Sequence, residues 1–206
     1  MKRDYTLYLV TEESVPEDRL LQIVEAAIKG GVTMVQLREK STSSKLFFQK
    51  AVRLRELTRR YDVPLIINDR VDIALAVEAD GVHIGQSDLP LAAVRRLVPS
   101  SMLVGVSVST VEQAKTAQHY GADYIGVGAV FPTQSKKDAK VLPPGMLEQI
   151  IDSVTIPIVA IGGIKTENLA ALSRLNITGV AVVSGIMQAD DPYHAARTFM
   201  EGMRNR

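Results

Sequence analysis

The chain has 206 residues, with 24 basic and 23 acidic side chains, a formal net charge of +1 and no cysteine. A balance this close to neutral argues against nucleic acid or an acidic membrane surface as the main partner. The lack of cysteine excludes disulfides, thiolate nucleophiles and cysteine-ligated zinc. The length sits at the small end of the roughly 200 to 250 residues of a β/α barrel, so one domain, 1–206, without a linker is expected.

The N-terminal stretch Met1 to Asp4 is charged, and no apolar run approaches the roughly 18 residues of a membrane span. A cytoplasmic protein is expected. The apolar run Tyr5 to Val10 predicts a first buried strand. Ser14 and Pro16 signal a helix start, Leu20, Ile23, Val24, Ala27 and Ile28 supply one apolar face, and Gly30-Gly31 closes the helix. Thr33 to Leu37 reads as a second strand, followed by an amphipathic helix carrying Leu46, Phe47, Val52, Leu54 and Leu57. Strands three and four, Pro64 to Asn68 and Gly81 to Ile84, precede helical segments over Val71 to Val77 and Leu89 to Leu97. Met102 to Ser107 is the fifth strand, with Ser109-Thr110 starting its helix and Gly121 ending it. Tyr124 to Gly128 forms the sixth, and the stretch Ala129 to Pro144 after it is too polar and proline-rich for a regular element. Pro157 to Ile161 and Gly179 to Val183 complete the set, with a helix start at Thr166 and Glu167 between them. Eight short strands alternating with helices predict a single-domain (β/α)8 TIM barrel of the α/β class, whose chemistry lies at the C-terminal strand ends.

Those strand ends carry the candidate residues. Side chains alternate along a strand, so Gln36, Arg38 and Lys40 share one face while Val35, Leu37 and Glu39 share the other. Two positive charges against a low-dielectric wall call for a bound anion, or for a structural network through Glu39 and neighbouring carboxylates. Asn68-Asp69 ends the third strand and Gly85-Gln86-Ser87-Asp88 follows the fourth. Adjacent strands lie about 5 Å apart, so the two aspartates can meet. They could cap the helices that follow, or hold magnesium, which takes one or two carboxylates together with waters and phosphate oxygens.

In the long loop, Thr133, Ser135 and Lys136 offer two hydroxyls and a cation to a phosphate. Gly162-Gly163 and Ser184-Gly185 end the last two strands where barrel enzymes often hold a phosphate, although glycine also serves turn geometry alone. Of three histidines, His119 and His194 fall on helical segments, and His83, inside a strand, reads as a hydrogen-bonded barrel residue and not as a base. Two anion sites with few proton-transfer groups suit departure of diphosphate from a substrate that leaves a stabilised cation.

Seven separated motifs stand in one order over nearly the whole chain. They are Gln36-Leu37-Arg38-Glu39-Lys40, Ile67-Asn68-Asp69, Asp80-Gly81-Val82-His83-Ile84-Gly85-Gln86-Ser87-Asp88, Gly105-Val106-Ser107, Gly121-Ala122-Asp123-Tyr124, Pro132-Thr133-Gln134-Ser135-Lys136 and Ile161-Gly162-Gly163. In them the chain resembles the thiamine-phosphate synthase family. The resemblance implies a transferase that joins an aminopyrimidine methyl diphosphate to a hydroxyethylthiazole phosphate, giving thiamine phosphate and diphosphate. It implies Mg2+ on Asp69 and Asp88, and a pyrimidine diphosphate site at Gln36, Leu37, Arg38, Glu39, Lys40, Asn68, Ser107 and Lys136. Thr133, Ser135, Gly163, Val183 and Ser184 would bind the thiazole phosphate, Gln134 also counts among the substrate-binding residues, and Arg38, Lys40, Ser107 and Lys136 form the implied catalytic set. The implied route is dissociative and needs no protein nucleophile.

Ser135 stands where the family often has threonine, and the eighth strand ends Val-Ser-Gly where Val- or Ile-Ser-Ala is frequent. A related thiazole tautomerase carries a histidine where this chain has Ala129, and tends to lose the Asn-Asp and Gly-Gln-x-Asp motifs kept here. The alternatives are that tautomerase and a non-catalytic thiazole phosphate-binding paralogue. Small-molecule substrates are the expected partners, with no nucleic acid and no membrane, and a homo-oligomer is left open.

Overall fold

The computed structural model describes residues 3–13, 15–135 and 139–205. Ser14, one of the first helix's start signals, and the candidate anion ligand Lys136 lie outside the described residues. Eight strands, β1 (Leu7–Val10), β2 (Met34–Leu37), β3 (Leu65–Asn68), β4 (Gly81–Ile84), β5 (Leu103–Val108), β6 (Tyr124–Val127), β7 (Ile158–Ile161) and β8 (Gly179–Val182), close in chain order into a parallel barrel. Closure is made by β1 against β8, with Leu7, Tyr8 and Leu9 opposite Val180, Ala181 and Val182. The helices are α1 (Glu17–Lys29), α2 (Ser44–Arg60), α3 (Val71–Ala76), α4 (Leu91–Leu97), α5 (Val111–His119), α6 (Met146–Ser153), α7 (Ser184–Met187) and α8 (Pro192–Arg204). Among the described residues no helix is long and apolar enough to cross a membrane.

Alternation along each strand sorts the apolar residues into two cores. Leu7, Leu9, Val35, Leu37, Leu65, Ile67, Val82 and Ile84 point outward and pack under the helices. Tyr8, Val10, Met34, Ile66, Leu103, Tyr124, Val159 and Ala181 point inward and fill the barrel. A strand buried on both faces can therefore be apolar throughout, as the eight runs are.

One expected helix is replaced by a shorter element. Between β7 and β8 the chain makes only a 3-10 turn, Leu169–Leu172. The start signal at Thr166 and Glu167 fails because Thr166 spends its hydroxyl on the Glu167 carboxylate. Asn168 closes the turn instead, accepting from the Lys165 N–H at 2.9 Å and donating to the Gly163 carbonyl at 2.8 Å. The Thr110 signal holds, its hydroxyl accepting from the Gln113 N–H at the start of α5.

Two aspartates within the quoted motifs serve the opposite end of the barrel from the mouth. Asp80, just before β4, accepts from the Leu65 N–H at 2.8 Å and is gripped by both terminal nitrogens of Arg55 from α2. Asp123, just before β6, accepts from the Val104 N–H at 2.8 Å and pairs with Arg95 of α4 at 2.5 Å and Arg3 at 3.0 Å. Each carboxylate ties a strand start to its neighbour and to a helix. Residues at this end of a barrel contribute stability, and not chemistry.

Candidate active site at the barrel mouth

The segment after β2 divides as alternation requires. Gln36 points inward and is buried, and its Nε2 donates to the Tyr8 hydroxyl at 2.8 Å. Leu37 lies on the other face in the layer under the helices, so its side chain does not reach the mouth. Glu39 is also on that face, where its carboxylate pairs with Lys50 of α2 at 2.9 Å and shares the Thr42 hydroxyl with Glu13. The network through Glu39 therefore does not neutralise the cationic face. Lys40 instead pairs with Asp69, while Arg38, half-buried, has no acceptor for its guanidinium among the described residues. An unpaired guanidinium held against the protein surface favours an anion.

The first strand end organises this segment. The Thr11 hydroxyl accepts from the Arg38 N–H at 3.1 Å. Glu13 accepts from the Lys40 N–H, from the Ser41 N–H and hydroxyl, and from the Thr42 hydroxyl, at 2.7 to 3.1 Å. Burial works against the charge of Glu13, but those hydrogen bonds outweigh it and hold its carboxyl down at about 2. Neither residue stands out in the sequence, because a threonine and an acid after a strand have no periodic or spacing signal and their partners lie beyond α1.

The third and fourth strand ends bring the acids together. Asn68 closes β3 beside His83 of β4. Asp69 then adopts φ +62°, a left-handed conformation that aspartate tolerates better than most residues. Asp88 accepts from the Gly85 N–H at 2.7 Å. Burial, and next the Asp69 carboxylate within hydrogen-bond reach, push the Asp88 carboxyl upward against the Gly85 bond and Lys40. Neither aspartate caps a helix: α3 starts from Arg70 and α4 from Pro90, both without a side-chain cap. Two carboxylates whose repulsion favours a proton on one of them suit a divalent cation. Among the described residues no cluster of three or more acidic, histidine or cysteine groups could hold an ion alone. A pair of carboxylates alone would leave a bound divalent cation to complete its shell with water and substrate oxygens.

Ser107 ends the candidate half. It lies on β5, its carbonyl accepts from Gln86 Nε2 at 2.7 Å, and its hydroxyl lies 2.8 Å from His83 Nε2. His83 is buried and its Nδ1 lies 3.0 Å from the Tyr124 hydroxyl. Burial pulls its pKa down to about 4, against the field of Asp88, so the ring is neutral near pH 7. This is the hydrogen-bonded barrel histidine expected from its place inside a strand.

The other half of the mouth is built by the sixth, seventh and eighth strand ends. Ala129 N–H donates to the Lys140 carbonyl and Leu142 N–H to the Ala129 carbonyl, pinning the two ends of the long loop together. The loop's first residues lie along the end of β7, with Val130 and Phe131 N–H donating to the carbonyls of Ile161 and Gly162 at 3.0 Å. Gly162 and Gly163 have φ of +99° and +65°, and a Cβ on Gly163 would come within 2.4 Å of the Pro132 carbonyl. Close approach therefore requires glycine there, and it carries Thr133 and Ser135 to the β7 end. The Thr133 hydroxyl accepts from the Ser135 N–H at 3.2 Å, and Gln134 is exposed. Val183 follows β8, partly buried against the barrel interior, and Ser184 opens the four-residue α7. Gly185 has a packing reason instead, its Cβ position lying 3.0 Å from Phe199 and Val182.

With that geometry in place, residues 7–186 match the sequence family described as thiamine monophosphate synthase. A "Thiamine-phosphate synthase" of Ruminiclostridium cellulolyticum is 51% identical over 206 residues, covering 100% of this chain and 98% of that protein. One from Methanobrevibacter smithii is 49% identical over 198 residues, covering 96% and 95%. The solved structure of a thiamine phosphate pyrophosphorylase from Pyrococcus furiosus superimposes with a TM-score of 0.90 at 37% identity, covering 98% of this chain and 97% of that one.

Proposed function

Because the chain belongs to the thiamine monophosphate synthase family, we propose that it is a transferase that couples an aminopyrimidine methyl diphosphate to a hydroxyethylthiazole phosphate, giving thiamine phosphate and diphosphate. The observation that carries this reading is the meeting of Asp69 and Asp88 with Lys40, on the same segment after β2 that carries the unpaired guanidinium of Arg38. A magnesium diphosphate brings what each feature lacks, the cation for the two carboxylates and the anion for the guanidinium.

Arg38 and Lys40 bind the diphosphate, Lys40 exchanging its present partner Asp69 for a phosphate oxygen. The Ser107 hydroxyl and Asn68 complete that side, and Gln36 orients the pyrimidine from the barrel interior. Lys136 belongs to the same set by its place in the loop sequence. Leu37 and Glu39 contribute through the backbone, since their side chains face the helices. Asp69 and Asp88 would hold magnesium, which neutralises charge on the departing diphosphate. Thr133, Ser135, Gly163, Val183 and Ser184 receive the thiazole phosphate, and Gln134 covers the opening.

The route is dissociative. The methylene–oxygen bond breaks first, the ring amino group supports the cation, and the thiazole nitrogen attacks it. His83, neutral and hydrogen-bonded on both nitrogens, is not required as a base. Alanine at position 129 supports coupling over tautomerisation, since no imidazole can act from that place. The cysteine-free composition suits the cytoplasm.

Incubating the protein with both phosphorylated rings and magnesium, and following thiamine phosphate and diphosphate together, tests the reading. Equal amounts of both products support it. Absence of diphosphate with both rings present would reject it in favour of the tautomerase or a binding protein.

A further inference from the structure

Five polar side chains cross the barrel interior in one unbroken line. Gln36 Nε2 lies 2.8 Å from the Tyr8 hydroxyl, Tyr8 2.8 Å from the Tyr124 hydroxyl, Tyr124 3.0 Å from His83 Nδ1, and His83 Nε2 2.8 Å from the Ser107 hydroxyl. Each link joins a different pair of strands, in the order β2, β1, β6, β4, β5. Space is reserved for it: a Cβ on Gly105 would lie 2.4 Å from the Tyr124 oxygen and 2.5 Å from His83 Nδ1. Tyr8 and Tyr124 are fully buried, so each hydroxyl hydrogen must find its acceptor within the line.

Hydrogen counting allows two arrangements. A hydroxyl has one hydrogen, a neutral imidazole has one N–H, and the amide of Gln36 has a donor end and an acceptor end. When Gln36 donates from Nε2, Tyr8 donates to Tyr124, Tyr124 to His83 Nδ1, and His83 from Nε2 to Ser107. The Ser107 hydrogen is then free for the mouth, and the Gln36 Oε1 is free as an acceptor. When the amide is turned over, every link reverses, Ser107 spends its hydrogen on His83, and Gln36 shows N–H groups in place of its oxygen. The two ends, on strands β2 and β5, therefore change together.

We propose that this line is a directional relay, in which an anion accepting from the Ser107 hydroxyl fixes the Gln36 amide with its oxygen toward the mouth, selecting a ring that offers an N–H donor. Tyr8, Tyr124 and His83 are positioning residues: they act through Gln36 and Ser107. The proposal rests on the reading of a diphosphate at Ser107 and an aminopyrimidine at Gln36. An oxo group in place of the ring's amino group turns that N–H donor into a carbonyl acceptor, which meets the acceptor of Gln36.

The test reads the imidazole directly. In nitrogen-15-labelled full-length protein, the His83 signals are identified by removing the others in His119→Gln and His194→Gln variants, both exposed positions. The relay requires the Nε2–H tautomer with inorganic diphosphate and magnesium added, and the same tautomer in Tyr8→Phe, where Tyr124 keeps only His83 Nδ1 as an acceptor while the Gln36 amide loses the hydroxyl that fixes it. In steady-state assays Tyr8→Phe should lower the preference for the amino over the oxo pyrimidine by about tenfold or more, with KM for the thiazole phosphate unchanged. A purely structural tyrosine would lower the melting temperature and leave the substrate preference alone, which overturns the relay. An Nδ1–H tautomer in the diphosphate-bound wild type also overturns it. If instead no product forms while the tautomer behaves as stated, the relay stands and the coupling reading falls.

Discussion

The carboxylate of Glu13 holds Ser41 twice, through the backbone N–H and through the hydroxyl, each at 2.7 Å. The end of β1 thereby shapes the segment that presents Arg38 and Lys40. Pre-ordering of this kind removes an entropic cost that a substrate would otherwise meet on binding.

Glu13→Gln should leave the fold intact and raise KM for the pyrimidine diphosphate roughly tenfold, since charge-assisted hydrogen bonds contribute about 1.5 to 3 kcal/mol. Steady-state kinetics against each substrate checks this. The carboxyl sits at about 2, below its ordinary 4.5, so its contribution is complete above pH 4.5 and fades as pH falls toward 2. Affinity that depended on Glu13 titrating near neutral pH would contradict the assignment.

Asp123→Ala should cost about 2 kcal/mol or more of stability with kcat/KM unchanged, because it frees the Val104 N–H and leaves Arg95 without its carboxylate at the end opposite the mouth. Urea melts and an assay on the same sample separate the two effects.

His83 gives stability a pH dependence of predictable sign. Its folded pKa of about 4 lies below the ordinary 6.5, so between those values the unfolded chain binds the proton and the folded one does not. Stability therefore falls as pH drops from about 6.5 to about 4, by on the order of 3 kcal/mol from this group, and levels off below. Urea titrations of wild type and His83→Gln across that window should converge as the pH is lowered. A constant gap between them would show that the ring is not buried neutral.

Gly163→Ala should raise KM for the thiazole phosphate more than for the pyrimidine. A methyl there meets both a φ of +65° and the Pro132 carbonyl at 2.4 Å, so the loop carrying Thr133 and Ser135 must move. Kinetics with each substrate varied in turn distinguishes a displaced loop from general loss.

Much of this arrangement is legible in the sequence, for reasons that differ by residue. Alternation alone separates Gln36 from Leu37 and Glu39, and proximity of neighbouring parallel strands suffices to bring Asp69 to Asp88. Thr166 and Glu167 mislead, because their side chains bond to one another and Asn168 turns the chain back to Gly163. Tyr8 and Tyr124 are hidden inside apolar runs and lie 116 residues apart, so nothing local marks their hydroxyls as partners. Asp80 and Asp123 sit within the quoted motifs, yet only the register of the barrel shows that they face away from the mouth.

The division of the mouth into a diphosphate half and a phosphate half is tested most directly by calorimetric titration of Arg38→Ala with each substrate separately, magnesium present throughout. The account predicts that affinity for the pyrimidine diphosphate falls about tenfold or more while that for the thiazole phosphate stays within about twofold, as expected for loss of one charge-assisted contact. Loss confined to the thiazole phosphate would exchange the two halves and contradict it.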